Sequence, residues 1–237
     1  QTALYPGKAS QAVKLGSGAF PTYRTSSFVV EAIGKDRLTA VTYQVGEQRY
    51  QVDCDIAAVG YGLVPNNELA VLMGCETRGR YVVVDSDQQT TVDNVFAAGE
   101  ISGIGGIEKS MIEGEVAGLR ATGQSADHCR QRQDLSWKFA RLLETSFRLS
   151  PALKNLVAED TVLCRCEDVK FGEVNQFQNW RPAKLQRRIG MGPCQGRICG
   201  PAFSFLCGRE LLDQEPVSVR PPVFATTLEN LIPKEEL

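Results

Sequence analysis

The sequence is poor in the features that would support several common functions. It has one histidine and no apolar run near the roughly 20 residues that span a bilayer. Its net charge is −2, and its basic residues are not interleaved with aromatic ones, so no nucleic-acid-binding surface is indicated. His128 falls in the polar stretch 123–133, and we interpret it as a solvated residue rather than a ligand or base. No residue has the pattern of a catalytic nucleophile or base.

The start of the chain also lacks recognisable signals. Residues 1–6 have neither the basic nor the apolar region of a signal peptide. The first convincing strand begins only at Phe28, and the chain does not begin with methionine. We therefore expect a fragment or one piece of a processed protein. We expect it in the cytoplasm, where peripheral attachment to the inner face of the membrane is compatible with the composition.

Size and cysteine usage favour a reducing environment and more than one domain. With 237 residues and 43% apolar content, the chain can bury a real core and is expected to hold two domains. Four of the eight cysteines form two close pairs, and the other four are scattered singly. This pattern favours metal ligands over four disulfides.

The first 73 residues predict strands followed by a short helix. Residues 28–33 and 37–43 read as a hairpin around the turn 34–36. Residues 49–59 read as a strand whose apolar end, 56–59, suits burial on both faces. Asn67 is expected to cap a helix over 68–73.

Glycine pairs in the chain do not form a dinucleotide fingerprint. Gly60-x-Gly62 is followed by Pro65, whereas the fingerprint requires G-x-G-x-x-G between a strand and a helix. We interpret it as a turn that closes a buried strand. The chain contains no complete phosphate-binding fingerprint, so NAD(P) binding is without support in this sequence.

Residues 91–121 have the pattern of a ligand site at the end of a strand. Residues 81–85 and 95–98 read as strands, and Glu100 follows the second one directly. A glycine-rich turn comes next, and then a helix is predicted over 107–121. In open α/β sheets ligands bind beyond the carboxyl ends of strands. A carboxylate there can accept hydrogen bonds from hydroxyl groups, and a helix N-terminus favours electron-rich atoms.

The two cysteine pairs predict a metal site. Cys164 and Cys166 form a C-x-C pair, and Cys194 and Cys199 form a C-x4-C pair after residues 167–193. Structural zinc favours C-x2–4-C pairs, and a single intervening residue makes it awkward to wrap both thiolates around one tetrahedral ion. A 2Fe–2S cluster accommodates two separate pairs and needs backbone N–H groups near its sulfurs, which glycine-rich turns supply. Zinc and free buried thiols are the alternatives.

Helices are predicted around these cysteines. A helix is expected to begin at Asp134 and run to about residue 149, and others are expected over 171–180, 182–189 and 201–212. Four arginines would add positive charge around the cysteine module and should raise a cluster's potential: Arg165, Arg187, Arg188 and Arg197.

The passage 91–120 resembles the second FAD-binding motif of the two-dinucleotide-binding-domain flavoproteins, relatives of the pyridine nucleotide-disulfide reductases. The resemblance implies that Glu100, where the family usually has Asp, contacts the ribityl chain of FAD. It implies backbone contacts at the glycine turn and helix start: Gly99, Gly105, Gly106 and Ile107. Residues 21–66 resemble the last strands of the inserted NAD-binding-type domain. The diphosphate-binding glycine motif would lie in a missing amino-terminal portion or separate chain.

Residues 162–169 and 190–200 resemble the bacterioferritin-associated ferredoxin-like 2Fe–2S domain. The resemblance implies that Cys164, Cys166, Cys194 and Cys199 bind the cluster. Cys207 matches no ligand position and is interpreted as core. Residues 219–223 resemble the family's carboxyl-terminal extension.

The combination of these two parts resembles the FAD/iron–sulfur subunit of multi-subunit amine dehydrogenases of the opine oxidase, hydroxyproline dehydrogenase and hydrogen cyanide synthase type. The resemblance implies an oxidoreductase subunit that relays electrons between FAD and a 2Fe–2S cluster. It also implies a second flavoprotein subunit that oxidises the C–N bond, and an electron acceptor. The alternatives are an NAD(P)H-dependent flavin/iron–sulfur reductase and a non-enzymatic iron–sulfur binding or regulatory module.

The expected fold class is therefore α/β, a partial two-dinucleotide-binding-domain flavoprotein fold without its amino-terminal half, followed by a small α-helical 2Fe–2S domain. The expected domains are the end of an NAD(P)-binding-type domain (1–62), the end of an FAD-binding domain (63–122), a helical linker (123–160), the 2Fe–2S domain (161–213) and a tail (214–237).

Overall fold

The computed structural model describes Ser10, Val13, Lys14 and residues 22–208 and 219–232. The chain divides into two compact units, residues 1–61 and 62–237. The predicted carboxyl end of the third helix of the cysteine module, at Leu212, lies outside the described residues.

The first unit contains a three-stranded antiparallel sheet in sequential order. Its strands are β1 (Ser27–Gly34), β2 (Leu38–Val45) and β3 (Gln48–Asp53). Gly34 has a φ of 157°, and a Cβ there would lie 2.0 Å from the Arg37 carbonyl oxygen, so the β1–β2 turn requires glycine. The predicted hairpin around 34–36 is confirmed.

The apolar stretch 56–59 corrects one expectation. β3 ends at Asp53, and Ile56 and Val59 remain 81% and 65% exposed. The prediction of a buried strand there is wrong for the described structure. An apolar run indicates a preference for burial, but a strand forms only beside a partner that completes its hydrogen bonds. Among the described residues, β3 pairs with β2 alone.

The second unit begins with a short helix and a small two-stranded sheet. Helix α1 (Glu68–Leu72) lies in the predicted place, but the Asn67 side chain does not cap it. Asn67 instead donates a hydrogen bond to the carbonyl oxygen of Arg80, 3.1 Å away. This bond ties the helix start to the turn between strands β4 (Thr77–Arg78) and β5 (Tyr81–Val82).

The predicted strands over 81–85 and 95–98 are shorter than expected. β5 ends at Val82, and the following chain forms only isolated bridges, Val84 with Thr90 and Gln89 with Phe96. The stretch 95–98 is therefore not a regular strand. Its backbone pairs locally with the preceding turn, through Ala97 N–H to Gln88 O (3.0 Å) and Thr90 N–H to Val95 O (2.8 Å).

Two helices follow that turn. Helix α2 (Ile107–Ala121) has the predicted limits. Helix α3 (Arg130–Ser146) begins before the predicted start at Asp134, because a 3-10 turn over Asp127–Cys129 leads directly into it. Helix α2 and the segment that leads into helix α3 share a small core of buried side chains: Val116, Ala126 and Cys129.

The cysteine module combines a β-hairpin with short helices. A 3-10 turn (Pro151–Leu156) precedes strands β6 (Val162–Cys164) and β7 (Val169–Lys170), which the sequence did not predict. Helices α4 (Trp180–Arg187) and α5 (Cys199–Cys207) agree with two of the three predicted helices. A further 3-10 turn, Leu228–Asn230, lies in the tail.

The predicted helix over 171–180 is wrong. That stretch begins as a 3-10 turn, Phe171–Glu173, and then continues irregularly to the start of α4. Glu159 packs so closely that a Cβ on Gly172 would lie 2.1 Å from its carboxylate, and Asn175 donates to the same carboxylate at 3.1 Å. These contacts with an earlier segment fix the backbone outside a regular helix.

Nine buried residues form the core of the module: Leu163, Cys164, Val169, Val174, Trp180, Ala183, Ile189, Cys199 and Phe203. Cys207 is partly buried and packs against this core, in agreement with its predicted structural role. Within the described residues, no helix is both long and apolar enough to cross a membrane.

Candidate functional site

The structure brings the four paired cysteines together from two loops. The β6–β7 hairpin carries Cys164 and Cys166, and the loop before α5 carries Cys194, with Cys199 at the start of that helix. Cys166 lies close enough to Cys194, and Cys199 close enough to Cys164, for the two sulfurs of each pair to interact. Each cysteine of the hairpin therefore meets one cysteine of the second loop.

Burial differs strongly between these two thiol pairs. Cys164 and Cys199 are only 1% and 2% exposed and belong to the module core. Cys194 is half-buried, and Cys166 is exposed. The site therefore has an inner side in the core and an outer side at the surface.

Backbone N–H groups surround the sulfur of Cys194. Burial alone would raise the pKa of Cys194, but hydrogen bonds from the N–H groups of Gly196, Ile198 and Arg197 lower it below its usual value. Such donors stabilise a thiolate and, in cluster proteins, tune the potential of the iron. This is the donor arrangement that the glycine-rich sequence around Cys194 predicts.

The Cys166 and Cys199 thiols are held closer to their neutral forms. The Cys194 N–H donates to Cys166 and lowers the pKa of that thiol, but the thiol's own hydrogen bond to the Cys194 sulfur leaves it raised overall. Desolvation, followed by the neighbouring Cys164, raises the pKa of Cys199. Sulfurs this close together resist simultaneous ionisation, and a metal cation would relieve their repulsion.

Glycines allow the two loops to approach. A Cβ on Gly192 would lie 2.2 Å from the Cβ of Cys166, so any side chain there would push the hairpin away. Gly190 and Gly196, with φ of 75° and 86°, both lie against the ring of Trp180. The glycines are needed both for close approach and for left-handed backbone.

The predicted positive charge around the cysteines is partly neutralised. Arg197 forms a partly buried ion pair with Glu68 and donates to the Val223 carbonyl oxygen at 2.7 Å. Arg188 pairs with Glu167 at 2.8 Å. Arg165 and Arg187 are exposed. Arg197 thus also connects the loop over residues 188–198, the ligand loop, to helix α1 and to the tail.

The glycine turn after Ala98 is held by a buried carboxylate. The Glu113 carboxylate accepts hydrogen bonds from the Gly99 N–H at 2.8 Å and from the Ser102 hydroxyl at 2.9 Å. Gly99 itself has a φ of 91°. Helix α2 therefore fixes the backbone of the turn that leads to its own N-terminus.

A buried lysine completes this arrangement. Lys109 and Glu113 are 1% and 0% exposed and form an ion pair of 2.7 Å. The Lys109 ammonium also donates to Ser102 Oγ at 3.1 Å and lies 4.2 Å from the Trp137 ring centroid. Desolvation lowers the pKa of Lys109 below its usual value. Sequence reasoning missed this pair, although an i, i+4 spacing of Lys and Glu on a predicted helix was visible.

The outer side of the same turn fits an electron-rich ligand. Glu100, Gly106 and Ile107 are exposed, and no side chain caps the N-terminus of helix α2. A Cβ on Gly106 would meet nothing within 4 Å, whereas one on Gly105 would lie 2.4 Å from Lys109 Cδ. An open helix N-terminus beside an exposed carboxylate suits a flavin, because the carboxylate can accept from hydroxyls and the helix dipole favours electron-rich atoms.

A separate group of possible metal ligands consists of Glu115, His128 and Cys129, and their ligand atoms lie within 4.8 Å of one another. The Glu115 carboxylate already accepts hydrogen bonds from His128, Cys129 and Arg132. The side chain of His128 is 63% exposed, in agreement with the prediction of a solvated histidine. The cluster is a satisfied surface network.

A family model described as pyridine nucleotide-disulphide oxidoreductase matches residues 22–124. The hydrogen cyanide synthase subunit HcnB of Pseudomonas protegens is 30% identical over 204 residues, which are 72% of this chain and 43% of that protein. One of the opine oxidase subunits of Rhizobium meliloti is 30% identical over 207 residues, 77% of this chain and 45% of that protein. The chain thus spans less than half the length of these relatives.

A solved structure shares the fold. The crystal structure of L-proline dehydrogenase from P. horikoshii superposes with a TM-score of 0.61 over 86% of this chain and 44% of that chain, at 21% sequence identity. Together with the family match, this similarity supports an α/β dinucleotide-binding flavoprotein fold and an oxidoreductase class.

Proposed function

We propose that this chain is an oxidoreductase subunit that relays electrons between FAD and a 2Fe–2S cluster in a multi-subunit amine or amino-acid dehydrogenase. The observation that carries the proposal is that two cysteine pairs, Cys164 with Cys199 and Cys166 with Cys194, meet across two glycine-bearing loops in the unit that also contains the glycine turn before helix α2.

Cys164, Cys166, Cys194 and Cys199 would hold the cluster. One-electron transfer is the chemistry that a 2Fe–2S cluster supplies when bound. The N–H groups of residues 196–198, which point at the Cys194 sulfur, would stabilise the added negative charge. Gly192 keeps the loops close enough for both to bind one group.

Residues at the start of helix α2 would hold part of the FAD. FAD supplies hydride or two-electron chemistry when bound. Glu100 is exposed where it can accept hydrogen bonds from ribityl hydroxyls, and Gly106 and Ile107 are exposed at the helix start. The Lys109–Glu113 pair keeps this turn in place from beneath.

Exposure of the thiols suggests the direction from which a redox partner approaches. Cys166 is exposed, whereas Cys164 and Cys199 lie in the core. Electron transfer becomes faster at short distance, so a partner that docks near Cys166 would meet the cluster's accessible edge. The remaining partners of the proposal are an amino-terminal FAD-binding portion or chain and a second flavoprotein subunit that oxidises the C–N bond.

Metal and flavin analysis of the intact protein tests the proposal. We expect about two irons and two acid-labile sulfides per chain, bound FAD, and an absorption spectrum typical of both groups. Cys166→Ser should lose the cluster, whereas Cys207→Ser, at the opposite end of helix α5 from Cys199, should retain it. Zinc without iron, or iron retained fully in Cys166→Ser, would overturn it.

The match to a pyridine nucleotide-disulphide oxidoreductase model favours one second candidate, an NAD(P)H-dependent flavin/iron–sulfur reductase. Bleaching of the flavin by NADH or NADPH under anaerobic conditions would support that candidate. Bleaching by an amine or amino acid only in the presence of the second subunit would support the proposal above. Bound iron without reduction of any acceptor would instead indicate a non-enzymatic iron–sulfur module.

A further inference from the structure

Trp180 carries a buried hydrogen-bond donor without a partner. The residue is 4% exposed and begins helix α4 in the core of the cysteine module. Its indole Nε1 is inaccessible to solvent and makes no hydrogen bond to any described residue. An unsatisfied buried donor is destabilising, so native proteins rarely keep one unless another group satisfies it.

The position of the ring indicates where that group lies. Trp180 Cζ2 would be 2.5 Å from a Cβ on Gly190 and 3.0 Å from one on Gly196. In an indole, Cζ2 and Nε1 are both bonded to Cε2 and lie on the same edge of the ring. The Cζ2 corner of the indole therefore contacts Gly190 and Gly196, and Nε1 lies next to that corner on the same edge of the ring.

Gly190 and Gly196 belong to the ligand loop. Gly196 donates its N–H to the Cys194 sulfur. Trp180 also packs in one core with Cys164 and Cys199, and its ring meets that of Phe203 edge to face, with the centroids 5.6 Å apart. The unpartnered N–H is thus enclosed by segments that carry three of the four converging cysteines.

We propose that the Trp180 Nε1–H donates a hydrogen bond to a bridging sulfide of the 2Fe–2S cluster. Indole N–H is a donor only, and a sulfide is an acceptor that carries negative charge. The loaded site thereby satisfies the donor that the protein alone leaves unpaired. This inference rests on the proposed function, because it requires the cluster.

The hydrogen bond sets the cluster's potential. One-electron reduction adds a negative charge to the cluster, so a donor at its sulfur stabilises the reduced form more than the oxidised form. Trp180 is accordingly a tuning residue that touches the cofactor, beyond the four ligands.

Potentiometry of the cluster in Trp180→Phe tests the proposal. We expect the equilibrium constant for one-electron reduction to fall about tenfold, equivalent to about 59 mV for a one-electron couple. Phe203→Leu is the matched control, because it makes a cavity beside the same ring but removes no donor. A twofold or smaller change in Trp180→Phe, or an equal fall in the control, would overturn the inference.

A second measurement needs no variant. The chain has two tryptophans, Trp137 and Trp180, and 15N labelling of both gives an internal comparison in the cluster-loaded protein. The Trp180 indole N–H should show a hyperfine shift and faster relaxation than that of Trp137. Equal shifts and line widths would contradict the hydrogen bond. Absence of iron from the wild type would instead refute the proposed function itself, so the two failures are distinguishable.

Discussion

At the scale of single residues, the buried ion pair of Lys109 and Glu113 supports the glycine turn before helix α2. Lys109 and Glu113 have almost no exposed surface, yet each bonds to the backbone or side chains of the glycine turn 99–106. Two charges removed from water are tolerated only when they are paired and further hydrogen-bonded. The pair therefore supports the turn, and breaking it should damage both stability and the turn's conformation.

The variant Glu113→Gln tests this role. It leaves the Lys109 ammonium buried without its counter-charge, and breaking a buried pair typically costs about 3–5 kcal/mol. Denaturant unfolding should show a loss of that size. Glu115→Gln, on the same helix, is the control, because the ion-pair partners of Glu115, His128 and Arg132, are exposed and such pairs contribute little to stability. Equal losses in both variants would contradict the role assigned to the pair.

At the scale of elements, the β6–β7 hairpin and the loop before helix α5 meet through glycine. Gly192 is buried and faces Cys166, where any Cβ would lie 2.2 Å from the Cys166 Cβ. The approach of the two loops depends on the absence of one side chain. Helix α2 offers a contrasting glycine, Gly114, with nothing within 4 Å of an added Cβ.

We predict opposite effects for alanine at these two glycines. Gly192→Ala should separate the loops and lower iron content several-fold, together with a loss of stability of about 1–3 kcal/mol from overpacking. Gly114→Ala should leave iron content unchanged and raise stability by about 0.5–1 kcal/mol, since alanine is favoured within a helix. Iron analysis and thermal unfolding of both variants provide the check. Full iron content in Gly192→Ala would show that the loops do not need this approach.

At the scale of the whole molecule, a few ion pairs connect distant segments of the second unit. Arg197 links the ligand loop to helix α1 and the tail. Asp87 connects its own turn to helices α2 and α3, through ion pairs with Arg120 and Arg130. The packing of these segments therefore depends on charges far apart in sequence.

The Asp87 pairs predict how stability responds to acid. The Arg120 hydrogen bond, followed by that of Arg130, lowers the pKa of Asp87 below 3.8. A depressed folded-state pKa contributes stability that is fully present well above pH 3.8 and is lost as the pH falls through the folded-state value. The difference in unfolding free energy between the wild type and Asp87→Asn should be constant from about pH 7 to 5. It should shrink below about pH 4.

Exposed Asp93 provides the comparison for that measurement. No ion pair joins it to another described residue, so Asp93→Asn should change stability little across the same range. A difference between the wild type and Asp87→Asn that stays constant down to about pH 2 would contradict the assignment.

The parts of the fold that could be predicted are those set by local pattern. Helix α2 follows from its periodicity and flanking glycines, and the β1–β2 hairpin follows from its turn residues. The expectations that failed depended on neighbours. Residues 56–59 have the composition of a buried strand but no strand beside them in the described structure, and residues 171–180 are held by Glu159 instead of by helical bonds.

The cysteine types and spacings identify the metal-binding candidates without any coordinates, because the chemistry of thiolate ligands resides in the residues themselves. Which thiol meets which depends on folding. Cys164 meets Cys199 and Cys166 meets Cys194, across loops about 30 residues apart. The burial gradient, the Lys109–Glu113 support and the unpartnered Trp180 N–H likewise arise from residues on different segments. The burial of a residue and its hydrogen-bond partners depend on segments that are far apart in the sequence, so no local sequence pattern predicts them.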